Sequence, residues 1–184
     1  LVTNLTNSSV SRIRLSDNTV TATISVGSGP ADVAIAPNAM FAYVTNSGSN
    51  SVSRIRTSDN AVTATIPVAA GPIGIVIAPD SSFAYVAESQ AASVSRIRTS
   101  DNTKVATTSV GVAGIQPLYM AMAPDGTFAY VIKGADFSLS RIRTSDNSLV
   151  ASVGLGSGGV QGLAISHDGT FAYVTLNASG SLAR

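Results

Sequence analysis

The feature that most constrains this chain is a repeat. The segment Phe-Ala-Tyr-Val begins at Phe41, Phe83, Phe128 and Phe171, at spacings of 42, 45 and 43 residues, and Ser-Arg-Ile-Arg ends at Arg14, Arg56, Arg98 and Arg143, at spacings of 42, 42 and 45. A fixed period of about 20 to 50 residues signals a solenoid, a propeller or an array, because each unit is too small to bury its own apolar face. Leu1-Val2-Thr3-Asn4 matches the tail of an earlier copy and Ser181-Leu182-Ala183-Arg184 the opening of a later one. The expected layout is a single repeat domain over residues 1–184, with a partial copy at 1–29, full copies at 30–71, 72–116 and 117–159, and a partial copy at 160–184.

Each copy holds four strand-like stretches separated by turn signals. The first, such as Val33-Ala34-Ile35-Ala36 or Ile75-Val76-Ile77-Ala78, is continuously apolar and is expected to be buried on both faces. Next comes Pro37-Asn38, Pro79-Asp80, Pro124-Asp125-Gly126 or His167-Asp168-Gly169, the chemistry of a tight hairpin. Phe-Ala-Tyr-Val is the second strand. The third, for example Val52 to Arg56, is closed by Ser58-Asp59-Asn60, which recurs as Ser16-Asp17-Asn18, Ser100-Asp101-Asn102 and Ser145-Asp146-Asn147. A fourth stretch, such as Val20-Thr21-Ala22-Thr23-Ile24, is rich in β-branched residues. No segment shows the 3.6-residue apolar period of a helix. Four antiparallel strands per copy form the unit of a propeller blade. The predicted fold is therefore all-β, a β-propeller of four-stranded antiparallel blades, about four to five of them in this chain. A β-solenoid is the competing shape, with shorter rungs and fewer hairpin turns.

Tyr43-Val44-Thr45-Asn46, preceded by Phe41-Ala42 and the Pro37-Asn38 turn, resembles the motif that names the YVTN propellers. Pro72 to Pro79 with Asp80 resembles the inner strand and hairpin that lead into that motif, and the likeness covers essentially the whole chain. The resemblance implies a radial array of blades in a secreted, periplasmic or cell-surface protein. Family members commonly carry about seven blades, against roughly four and a third copies here. The Arg-Ile-Arg segment also departs from the apolar and small polar residues usual there.

Composition narrows the function classes. Charged residues make up 11% and the formal net charge is +1, so no long-range field recruits a polyanion or an anionic membrane. With no aromatic residues interleaved among the arginines and no recognised binding module, nucleic acid is not an expected partner. Cysteine is absent, which excludes a disulfide framework and thiolate metal sites. No apolar run approaches the roughly 18 residues of a membrane-spanning helix, so no membrane insertion is expected. The first residues lack a charged and then apolar leader, and the expectation is that any signal peptide has been removed.

Superposing the copies lets the chain report its own variation. Length changes fall between fourth and first strands, at Gly27-Ser28-Gly29, Ala69-Ala70-Gly71, Gly111 to Gln116 and Gly156 to Gly159. In a propeller these loops share a face with those joining second and third strands. The columns Asn4, Asn46, Glu88, Lys133, Leu176 and Asp32, Gly74, Tyr119, Gly162 are chemically scattered on the same side. Candidate ligand-binding residues are therefore Asp32, Glu88, Gln116, Tyr119, Lys133 and Asp136. Loop drift on a scaffold is the favoured account; a true site would bring these groups to one cleft.

The remaining motifs carry two readings each. Arg12 and Arg14 share a strand face, and their repetition suggests either a polyanion-binding array or a ladder pairing Arg14, Arg56, Arg98 and Arg143 with Asp17, Asp59, Asp101 and Asp146. The near-zero net charge favours the ladder, whose exposed pairs contribute about 0.2–1 kcal/mol each. Gly154 to Gly159 matches G-x-G-x-x-G, but an inner strand follows it rather than a helix, so a nucleotide site is not expected. His167 is the sole histidine and reads as a turn residue, with no further His or Cys to complete a metal shell. Asn4, Asn7 and Asn177 open glycosylation-type triplets of the kind that chance supplies in a chain rich in Asn and Ser.

The leading functional expectation is a noncatalytic extracytoplasmic propeller scaffold for binding or cell-surface structure, with a small ligand, a protein or a glycan as partner. No catalytic residue, metal or cofactor is assigned. One alternative is a lactonase-like hydrolase or lyase with an axial site, which requires acids, bases or a metal clustered there. Another is an oligomerising module whose ring closes between chains through open blade edges. Closure within one chain would instead pair Val160 to Ile165 with the blade begun by Leu1 to Asn4, leaving Phe171 to Arg184 as surplus.

Overall fold

The structure is a computed structural model describing residues 1–184 apart from 113, 115, 157, 158, 177–180 and 184, and the backbone alone of 181–183. Among the described residues eighteen strands lie in five antiparallel sheets. The first sheet is β1 (Val2–Asn4), β2 (Ser9–Arg14) and β3 (Thr19–Ser25). The second is β4 (Pro30–Ile35), β5 (Phe41–Asn46), β6 (Ser51–Arg56) and β7 (Val62–Pro67). The third is β8 (Pro72–Ile77), β9 (Phe83–Glu88), β10 (Ser93–Arg98) and β11 (Thr103–Ser109). The fourth is β12 (Pro117–Met122), β13 (Phe128–Lys133), β14 (Ser138–Arg143) and β15 (Leu149–Gly154). The last is β16 (Val160–Ile165), β17 (Ala172–Leu176) and β18 (Ser181–Ala183). The three central sheets each run in strand order, so every one is a four-stranded up-and-down blade. Blades adjoin through their first strands, β4 beside β8, β8 beside β12 and β12 beside β16, in an inner row.

Turn chemistry explains the blade outline. In the hairpin after the first strand, the third turn residue takes a left-handed conformation, at φ 57 in Ala39, 62 in Ser81, 74 in Gly126 and 73 in Gly169. Asn18, Asn60, Asn102 and Asn147 do the same after the third strand, at φ 55 to 61, a region that Asn tolerates better than other side chains. Beside them Asp17, Asp59, Asp101 and Asp146 each accept the backbone N–H two residues on, the Asx-turn that the Ser-Asp-Asn triplet encodes. The ladder between third and fourth strands shifts register at the same place in every copy, between Arg and Ile of Ser-Arg-Ile-Arg. These recurrent bulges add local twist.

Packing differs from expectation in one respect. The second strand is the most buried, with Tyr43, Val44, Ala84, Val86, Ala129 and Val131 all inaccessible. Of the continuously apolar first strands, Ile75 to Ala78 is largely buried as expected, whereas β4 and β12 are only partly covered: Ile35 is 52% and Tyr119 41% exposed. A first strand packs on its own blade's second strand and on neighbouring inner strands, and its remaining face looks into the middle of the array. A second strand has neighbours on both edges and blades on both faces. The cores lie between blades, as where Tyr43, Val52 and Ile66 meet Ile75, Ile77 and Val86.

The expected closure of first blade by last is also corrected. β16 pairs with β17, which pairs with β18, while β1 pairs with β2 alone. Ala172 to Leu176 and Ser181 to Ala183 are thus no surplus, since they continue the blade that β16 opens. A first strand gains more by joining the second strand of its own copy through a short hairpin than by closing a loop over the whole chain. The Asn177-Ala178-Ser179 triplet, part of the Gly156 to Gly159 run and Arg184 lie outside the described residues.

Candidate functional site

The loops between fourth and first strands do share a face with those between second and third, and they are hydrogen-bonded together. Ser47 N–H donates to Gly29 O at 2.8 Å, Ser89 N–H to Gly71 O at 2.7 Å and Gly134 N–H to Gln116 O at 2.9 Å. Beneath these bonds lies the scattered column that closes each second strand. Asn4 Nδ2 donates to Ser9 Oγ at 3.1 Å and Ser11 Oγ at 2.9 Å, and Asn46 Nδ2 to Ser51 and Ser53 at 3.1 and 3.0 Å. Glu88 is fully buried and reverses the polarity, accepting from Ser93 Oγ and, at 2.5 Å, from Ser95 Oγ. A serine hydroxyl both donates and accepts, so one serine pair serves an amide in one blade and an acid in the next.

Glu88 and Lys133 reach further. Glu88 Oε1 accepts the Ala69 N–H at 2.8 Å, and Lys133 Nζ donates to Val110 O at 3.1 Å while pairing with Asp136 at 3.1 Å. Ala69 and Val110 lie in the segments arriving from the preceding blade, so both side chains tie blade to blade. In the equivalent loop Gly27 passes so close to Asn46 that a Cβ would lie 2.8 Å from its amide. Chemical scatter in this column thus conceals a shared mechanical role for Glu88 and Lys133, whereas Asn4 and Asn46 bond within their own blades.

Asp32 has a similar place one column inward. Its Oδ1 accepts from Val33 N–H at 2.8 Å and its Oδ2 from Ile75 N–H at 3.1 Å, linking β4 to β8. Thr45 Oγ1 adds a second link by donating to Ile73 O at 2.6 Å. At the next interface Gly74 lies so close to β12 that a Cβ would sit 2.2 Å from Leu118 O. Gln116 occupies the left-handed position held by Gly29 and Gly71, at φ 52, and lines a shallow groove of about 470 Å³ with Ile73, Ser89, Gln90 and Leu118. Asp136 accepts from Ser138 Oγ at 2.8 Å besides pairing with Lys133. Of the six candidates, only Lys133 and Asp136 are in contact through a bond. Asp32, Glu88 and Asp136 belong to three successive blades and are each bonded within their own blade or to a neighbouring inter-blade segment. Among the described residues no three His, Asp or Glu side chains gather as a metal site.

The arginine pairs divide their work. Arg14, Arg56, Arg98 and Arg143 pair with Asp17, Asp59, Asp101 and Asp146 at 3.0, 3.5, 2.8 and 3.1 Å, the ladder expected from spacing. Hydrogen bonds from Thr103, then Arg98, hold Asp101 down to about 2, and those from Ser148, then Arg143, do the same for Asp146. In the three full copies the first arginine of the pair behaves otherwise, a role that sequence reasoning missed, while Arg12 donates to Asn60 Oδ1 at 3.1 Å. The guanidinium carbons of Arg54, Arg96 and Arg141 lie 3.3, 3.4 and 3.4 Å from the ring centroids of Phe41, Phe83 and Phe128. The signal was present, since Phe and Arg recur together at a constant separation of 13 residues. His167 is an exposed hairpin residue, as expected.

No protein-family model matches the chain, and no curated protein does. Among solved structures it is similar to the hydrazine synthase of Kuenenia stuttgartiensis, with TM-score 0.76 and 25% identity over 83% of this chain and 43% of that one. It is also similar to a functionally unknown protein from Desulfotomaculum acetoxidans, with TM-score 0.74 and 24% identity over 90% of this chain and 57% of that one. The chain spans about half the length of these two structures. Repeated four-stranded antiparallel sheets and propeller-like neighbours together make this an all-β chain of β-propeller architecture.

Proposed function

We propose that this chain is a noncatalytic, extracytoplasmic propeller scaffold of the YVTN kind, serving binding or cell-surface structure. The observation that carries the reading is the state of Glu88. The most buried acid on the variable-loop face has its oxygens taken up by Ala69 N–H and two serine hydroxyls. A general acid or base must be within reach of a substrate proton, and this one faces protein donors instead. Lys133 is similarly occupied by Val110 O and Asp136. The test is a turnover panel of lactones, esters and glycosides together with fractionation of the source cells. No turnover and recovery from the envelope or medium are expected. Turnover abolished by Asp136→Ala would replace this reading with the enzymatic one, and recovery from the cytoplasm would remove its extracytoplasmic part.

A second reading, ring closure with another copy, rests on the edge of the first sheet. β1 is hydrogen-bonded on one side only, and beside it an apolar groove of about 470 Å³ is lined by Val2, Leu15 and Ile35. Unpaired strand edges invite pairing. Light scattering across a concentration series would show a stable dimer on this reading and a monomer otherwise.

A further inference from the structure

On the face opposite the variable loops, two successive blade interfaces carry equivalent grooves. One, of about 320 Å³, has Arg96 stacked on Phe83, with Tyr85, Asp80 and Asp125 around it. The other, of about 490 Å³, has Arg141 stacked on Phe128, with Tyr130, Asp125 and Asp168. Both volumes fall within the range of about 300–1,000 Å³ typical of small-molecule sites. Asp125 lines both, so the grooves share a wall.

Their arginines are incompletely satisfied. Arg96 Nε and Arg141 Nε are buried with no hydrogen-bond partner, and neither guanidinium is among the ion pairs of the described residues. The preceding interface supplies an internal comparison. There Arg54 Nε donates to Tyr43 Oη at 3.2 Å, Asn38 replaces the acid, and Ser81 Oγ accepts the Asn38 N–H at 3.1 Å. Each Nε lies beneath the surface, whereas the guanidinium lines the groove, and its terminal N–H groups make no hydrogen bond or ion pair among the described residues, so they are left for an acceptor that enters from the groove.

The carboxylates restrict what that acceptor is. Asp80, Asp125 and Asp168 bond to their own hairpins through Oδ1, leaving Oδ2 available in each. Hydrogen bonds from Ser82, Thr127 and Ser166 respectively hold these acids below the usual carboxylate range, so they are ionised at neutral pH. An anion drawn to the guanidinium meets two carboxylates, and a cation drawn to the carboxylates meets the guanidinium. A hydroxyl satisfies both, because it accepts from Arg N–H and donates to Asp Oδ2.

We infer that the two grooves bind adjacent units of an uncharged, hydroxyl-rich glycan. Occupation of both by one chain raises the effective concentration of the second unit, so oligomers bind more tightly than monosaccharides. This goes beyond the scaffold reading, and the two fail separately, since one is judged by turnover and location and the other by binding.

The experiment is isothermal titration of the 184-residue chain with neutral tetrasaccharides of glucose, galactose and mannose, with inorganic phosphate and oligogalacturonate as charged comparators. Saturable binding of a neutral tetrasaccharide is expected. It should weaken about tenfold or more in the Arg96→Gln, Arg141→Gln double variant and in Asp125→Asn, and remain unchanged in Arg54→Gln. Asp125→Asn retains the Oδ1 that accepts from Thr127, so it decides alone should the double variant fail to fold. No saturable neutral binding, tighter binding of phosphate or oligogalacturonate, or full affinity in Asp125→Asn would each overturn the proposal.

Discussion

Replacing Glu88 by alanine removes the acceptor for three donors at once. Ala69 N–H, bonded at 2.8 Å, loses its only partner in a segment held under the neighbouring loop. That orphaned donor costs about 1–3 kcal/mol. Ser95 Oγ has Thr107 Oγ1 at 3.5 Å to turn toward, whereas Ser93 must find a new acceptor in a buried position. The total is about 3 kcal/mol, equivalent to a fall in Tm of about 6–12 °C for a chain of this size. Glu88→Gln keeps one oxygen for Ala69 N–H and allows the serine hydroxyls to accept from its amide, so it should cost about 1 kcal/mol. Urea unfolding gives the two values as shifts in midpoint at constant slope. Amide exchange adds a local readout, with Ala69 N–H losing protection in the alanine variant and retaining it in the glutamine variant. Equal costs for both variants, or a cost below about 0.5 kcal/mol for alanine, would refute the view that this acid is an inter-blade tie.

Three further outcomes follow from the same geometry. Gly74→Ala, whose Cβ would lie 2.2 Å from the Leu118 carbonyl oxygen, should destabilise by about 3 kcal/mol, since backbone on both sides must move; thermal denaturation measures it. Ala39→Gly relieves an exposed left-handed alanine at φ 57 and should stabilise by about 0.5 kcal/mol; Ser81→Gly, which also loses the bond from Asn38 N–H, should give no gain in the same assay. Asp101, Asp146 and Asp168 are lowered from 3.8 to about 2, so their contribution to stability is present above about pH 4 and lost as pH falls through about 2. Replacing all three by asparagine should flatten the acid limb of a Tm-against-pH profile in that window.

Much of the fold was legible because its determinants are local and recur. Pro-Asp-Gly and Ser-Asp-Asn encode their turns through an Asx bond and one left-handed residue, and the hairpins then set strand order inside each blade. The Arg-Asp ladder was legible for the same reason, its partners being three residues apart. The candidate site was less legible. Variation among Asn46, Glu88 and Lys133 resembled a recognition surface, yet Asn46 bonds only serines of its own blade, while Glu88 and Lys133, of opposite charge, both tie to the backbone arriving from the preceding blade. Only the positions of Ala69 and Val110 in space show that.

From the sequence alone came the repeat, the all-β class, the four-stranded blade and its turns, all consequences of interactions between residues near one another along the chain. Tertiary structure decided the rest. It put Asp32 against Ile75, the Gly74 backbone against Leu118, and Arg96 in a groove shared with Asp125 of the next blade. Those relations depend on how one blade twists and seats against another, a packing of side-chain volumes across 29 to 44 residues of chain that no local pattern specifies.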